Sequence, residues 1–322
     1  LLGTGGIFVS LMLPAFFPSM VTLYFTASII GLAFMGLQLA TQTLTGAISS
    51  PSERARNFGL LSLGFALANL GGPLLTGYLI DQIGYAWAFA AIATPLVPAI
   101  IISAFGSRWI PKVQAKGEAV RGGMFDLLKI KPLRDTLIAS GIVSAAWDVY
   151  QFFMPLYGRS LGLSATVIGV IMSAFAVSII LVRVVLPLVL RLAGEVQLLT
   201  YAMFVAAAAF AIFPLMEGAW ALAGASFLLG LGCGLGQPLS MTLVYNASPK
   251  GRAGEATGMR ITVNQVTHFV IPLLFGAVGS LAGYAVVFLT NAGGLVIGGY
   301  TSLRNNAKRA REAETNAKRP QA

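Results

Sequence analysis

The sequence predicts an all-α membrane protein, a bundle of two pseudo-symmetric helical halves, and three observations carry that prediction. The 322 residues are 57% hydrophobic and only 10% charged, with a mean hydropathy of +0.81. That is too little polar surface to cover a body of this size in water. Apolar runs of at least about 18 residues, the length that crosses roughly 30 Å of hydrocarbon, recur from end to end. One phrase is also written twice. Gly71-Gly72-Pro73-Leu74-Leu75-Thr76-Gly77, running on to Phe89, returns between Ile271 and Phe288. Pro73, Gly77, Gly84, Tyr85 and Phe89 then meet Pro272, Gly276, Gly283, Tyr284 and Phe288 at an offset of 199 residues.

The apolar runs number ten, at approximately 1–17, 22–48, 57–80, 85–106, 135–157, 165–190, 196–216, 219–245, 256–280 and 283–303. Each is continuous, where a barrel strand would alternate over about ten residues, so each predicts a helix. The third and fourth are separated only by the turn at 81–85, and the fourth and fifth by a polar, basic stretch from Ser107 to Arg134. Four domains follow: an N-terminal half over 1–106, a linker over 107–134 in which FDLLKI suits a short surface helix, a C-terminal half over 135–303, and a basic tail over 304–322 that reads as a solvated, disordered end.

The repeat extends beyond the opening phrase. Pro51, Arg54 and Ala55 match Pro249, Arg252 and Ala253 at an offset of 198, and Gly31, Gln38 and Thr43 match Gly230, Gln237 and Thr242 at 199. Such a period is far longer than the roughly 20–50 residues of solenoid repeats. The counterpart of Asp135 would precede Leu1 by the length of two helices. The expectation is therefore an N-terminally truncated chain with ten helices of twelve.

A net charge of +10 would suit a nucleic-acid partner, but the positions of the charges argue against one. If the first span runs outward, all 21 basic residues except Arg159 fall on the inner side or in the inner third of a span. That is the positive-inside asymmetry that orients inserting helices, and it places the linker and both termini of the fragment in the cytoplasm. The single cysteine, Cys233, leaves no internal disulfide or thiol metal cluster. Nucleotide-binding and acyl-transfer motifs are missing too, so the expectation is no enzyme, no cofactor and no ATP-driven pump. The partners expected are a small solute, the bilayer, and protons as a candidate coupling ion.

Two parallel six-helix halves, a basic central loop and inward termini resemble the major facilitator superfamily of secondary transporters, over residues 1–303. The most specific local match is GFALANLGGPLLTG, which is similar to the family's antiporter motif G-x-x-x-G-x-x-x-G-P-x-x-G-G at Gly64, Gly72, Pro73 and Gly77. Small residues four apart make a smooth face for close helix approach, and a proline bends its helix. Two departures weaken the match. Arg191 stands where the second-half signature loop would carry an acid, and IIGLAFMGLQ offers no fourth-helix arginine. The resemblance implies alternating access about a midplane site, with export by antiport modestly favoured. A non-transporting receptor and an inactive remnant stand as alternatives.

Polar side chains at membrane depth mark the candidate cavity, because a charge unpaired there costs roughly 2.5–3.5 kcal/mol on insertion scales. Gln38 and Gln42 lie four apart on the second run, and Asp148 and Gln151 three apart on the fifth. Arg183 lies on the sixth, Gln237 on the eighth, and Asn264 and His268 four apart on the ninth. In the resembled family these helices line the central cavity. Interhelical bonding worth about 0.6 kcal/mol accounts equally well for Gln38 and Gln237, and snorkelling for Arg183. Asp148, near mid-span, is the strongest candidate for proton coupling or for pairing with a cationic solute.

Overall fold

The computed structural model describes residues 2–48, 54–106, 124–249 and 252–317. Helices follow the apolar runs: α1 (Leu2–Phe16), α2 (Met20–Ile48), α3 (Arg54–Ala93), α4 (Leu96–Gly106), α5 (Lys131–Ser160), α6 (Ala165–Val189), α7 (Glu195–Ile212), α8 (Ala219–Ala247) and α9 (Ala253–Ala317). No strand occurs among the described residues. Seven stretches in them are long and apolar enough to cross a membrane, alongside the shorter apolar α1. Large apolar side chains lie open on the outside, Leu281 at 89% exposure for example. Hydrocarbon tails accept such a surface as water does not.

Two of the seven stretches, Gly64–Gly106 and Gly254–Asn306, are 43 and 53 residues long, well beyond one crossing. Within them α3 and α9 each contain one residue of non-helical backbone. Gly84 has φ 77° and ψ 171°, and Gly283 has φ 81° and ψ 171°. This is backbone that only glycine adopts freely, and the two glycines are the pair aligned by the sequence repeat. Pro73 and Pro272 lie inside α3 and α9, also in matching places.

The chain divides into two compact units, the first made of Leu1–Ala119 with Ser164–Gly169 and the second of Val120–Leu163 with Val170–Ala322. In the first unit α1 and α2 are tied by a reciprocal pair. Ser10 Oγ donates to the Thr26 carbonyl at 2.9 Å, and Thr26 Oγ1 to the Ser10 carbonyl at 3.1 Å. Asp81 accepts from the backbone N–H groups of Ala165 and Thr166 at 3.1 and 2.7 Å, satisfying two donors that a helix start leaves open.

At the expected smooth face of Gly64, Ala68 and Gly72, a Cβ on Gly64 or Gly72 would meet nothing within 4 Å among the described residues. The close approach is at Gly77, where a Cβ would strike the Ala165 carbonyl, and at Gly169, where it would strike the Pro73 carbonyl.

In the second unit the run Gly230, Gly232, Gly234, Gly236 makes α8 the central packing element. Each step of two residues turns about 200° around a helix, so alternate glycines face opposite neighbours. Added side-chain atoms at Gly230 or Gly234 would collide with Phe175, Ile179 or Val182 of α6; at Gly232, with Ala202 and Ala206 of α7; at Gly236, with Val143 of α5. Tyr150 stacks on Phe175 at 4.3 Å, and Phe210, Phe213 and Phe288 close the aromatic core. FDLLKI forms a 3-10 turn over Met124–Lys129. Its Leu127 is fully buried with Leu133, Leu137, Val244, Ala256 and Met259. Lys129 donates to Asp126 at 2.8 Å and thereby holds that exposed carboxyl below the ordinary carboxylate range. Residues 107–123 of the expected linker lie outside the described residues. The tail reading is corrected: α9 continues as helix to Ala317.

Candidate functional site

Residues separated by more than a hundred positions meet inside the second unit. Asp148 of α5 and His268 of α9 are joined between Oδ1 and Nδ1 at 2.5 Å. Two lone pairs would repel at that distance, so a proton lies between the two atoms. The carboxylate is 11% exposed and the imidazole 42%. The other carboxylate oxygen, Oδ2, is buried with no hydrogen-bond partner. Gln151 is half-buried one turn further along α5.

A second polar layer lies nearer the start of α9. Arg260, Asn264 and His268 are four apart and so share one helix face, about 6 Å between successive levels. Ser140 of α5 donates to Asn264 Oδ1 at 3.1 Å, and Ser240 of α8 donates its hydroxyl to the Gln237 carbonyl at 3.1 Å. The Ser240 oxygen remains free to accept from Arg260 Nη1, at 3.4 Å. Arg260 Nη2 reaches the Met241 sulfur at 3.2 Å. From the other side Arg183 of α6 donates through Nη2 to Gln237 Oε1 at 3.1 Å.

The structure thus unites Asp148 with His268, Arg183 with Gln237, and Asn264 with Ser140. Gln38 is half-buried on α2 in the first unit, while the side chain of Gln42 lies outside the described residues. Of the motif residues, Pro73 lies inside α3 and Gly77 is buried. Arg260 was missed as a site residue, because its charge was already explained as a positive-inside signal. Its spacing from Asn264 and His268 was the clue. A cavity of about 780 Å³ in the first unit is lined by Phe8, Met12, Ile83, Trp87 and other apolar groups, with Thr94 the polar exception. No group of three or more His, Cys, Asp or Glu suited to a metal occurs among the described residues.

A helical, multi-pass membrane protein with charged and amide side chains set inside its spans is built like a membrane carrier rather than an enzyme. The chain belongs to the Major Facilitator Superfamily, whose family model it matches over residues 1–272 and again over 136–321. It is 27% identical over 261 residues to "Multidrug resistance protein MdtG" of Citrobacter koseri, an alignment covering 79% of this chain and 64% of that protein. It is also 27% identical over 273 residues to the protein of the same name from Dickeya zeae, covering 82% and 67%. The chain therefore spans about two thirds of the length of these curated relatives.

Proposed function

We propose that the protein is a secondary active transporter of a small solute in the cell inner membrane, working by alternating access. An ion gradient drives it, with protons as the coupling ion and export by antiport as the favoured direction. Counting each long stretch as two crossings about its glycine gives, with α1, ten helices of an expected twelve. They form halves over 1–106 and 135–303, with the 107–134 linker and the 304–322 tail in the cytoplasm. Gln38, Gln42, Gln151, Gln237 and Asn264 then line the solute path, while Gly64, Gly72, Pro73 and Gly77 shape the helix that bends.

The Asp148–His268 pair carries the reading. With one proton the pair is neutral overall, and losing that proton leaves a net negative charge at membrane depth. Such a charge is costly in hydrocarbon, so the proton exchanges only while water reaches the pair, which ties protonation to the side that is open. The relatives' printed name supports export.

The test measures efflux of preloaded ethidium and of fluorescein from energised cells of an efflux-deficient bacterium expressing the chain. The parent expels at least one of the two, and a protonophore stops it. Asp148→Asn keeps the shape, removes the carboxylate and stops it equally, at matched membrane levels. Efflux by Asp148→Asn at the parent rate would sink the proton-coupling role.

A further inference from the structure

We propose that Arg183 and Arg260, with Gln237 and Ser240 between them, form a binding site for an oxyanion group, a carboxylate or a phosphate. Gln237, Ser240 and Met241 stand at i, i+3 and i+4 and share one face of α8. Arg183 reaches that face from α6 and Arg260 reaches it from α9. Two guanidinium groups therefore converge on a patch about one helical turn, or roughly 6 Å, long.

Among the described residues neither cation has a counter-ion. The ion pairs among the described residues are Lys129–Asp126, Arg252–Glu255 and His268–Asp148. Other described acids are engaged elsewhere: Glu195 with Asn246, Asp135 with Asn305, Asp81 with the start of α6. Arg260 is only 8% exposed, and the Nε groups of both arginines are buried without a partner. What Arg260 does touch is weak, a hydroxyl at 3.4 Å and a thioether. Guanidinium does not shed its charge, and an uncompensated buried charge is strongly destabilising.

The free donors of both groups match what a carboxylate or phosphate accepts in forked hydrogen bonds. The anion can come from the transported solute or from a lipid headgroup. Assigning it to the solute rests on the transporter reading; the site itself does not.

The experiment measures equilibrium binding of radiolabelled benzoate and phenyl phosphate to the purified chain in phosphatidylcholine nanodiscs, with uncharged benzamide as the comparison. The parent binds the anions and not benzamide. Arg183→Gln and Arg260→Gln each weaken anion binding by about tenfold, the loss typical of a charge-assisted bond, and Arg260→Lys recovers part of it. Should Arg260→Gln misfold, the half-exposed Arg183 carries the test. In a second arm, phosphatidylglycerol carried through purification by the parent and lost from both glutamine variants assigns the site to a headgroup. Equal binding of benzoate, phenyl phosphate and benzamide with no retained phosphatidylglycerol overturns the proposal, as does parent-like anion binding by both glutamine variants. Intact anion binding in a chain that moves no solute would reject the transporter reading alone.

Discussion

Asp148 and His268 are 120 residues apart, and the sequence marks each as a polar group in an apolar run without showing that they touch. Their contact depends on how α5 and α9 are rotated about their axes, and single-helix periodicity does not encode that rotation. A double-mutant cycle tests the contact. Asp148→Asn and His268→Gln should each lower the unfolding midpoint in detergent. Together they should cost less than their sum by about 0.5–3 kcal/mol, the range for residues in contact. Strictly additive shifts would show two independent side chains. Arg260 illustrates a different failure of reading, in which one sufficient explanation of a charge hid another. Burial to 8% exposure is a property of packing, whereas the positive-inside pattern is a property of counting.

At the scale of elements, the sequence placed the break between the third and fourth runs at 81–85, and the structure bends at Gly84. The reason was legible: an aligned glycine recurs at 283. The end of α9 was not legible from hydropathy. The residues after 303 are polar, but they are rich in Ala, Arg, Glu and Lys, which are good helix formers, and contain no Gly or Pro before 318. The glycine bends yield a prediction. Gly84→Ala and Gly283→Ala place a Cβ on backbone that L-residues avoid, and each should cost about 1–3 kcal/mol. Gly31→Ala, inside α2 with open space around it, should be neutral or slightly stabilising. Thermal unfolding of the three variants decides it; equal midpoints for Gly84→Ala and Gly31→Ala would mean that the bend tolerates a side chain.

At the scale of the whole chain, hydropathy and the long repeat were enough for an all-helical membrane protein, because a bilayer leaves few other ways to satisfy backbone polar groups. Neither signal reported which unit holds the paired polar groups, since a repeat aligns positions without preserving their chemistry. Gln38 and Gln237 align, yet only Gln237 has an arginine beside it among the described residues. Sidedness is open to direct measurement. With the buried Cys233 replaced by serine, Gln82→Cys should react with a membrane-impermeant maleimide in intact cells, and Lys116→Cys only after lysis. The reverse pattern would invert the topology. The glycine bends have a mechanical consequence as well. A corner turned within a single residue leaves no connecting loop to absorb motion, so the angle between the helices before and after Gly84 or Gly283 can change only through that glycine's own φ and ψ.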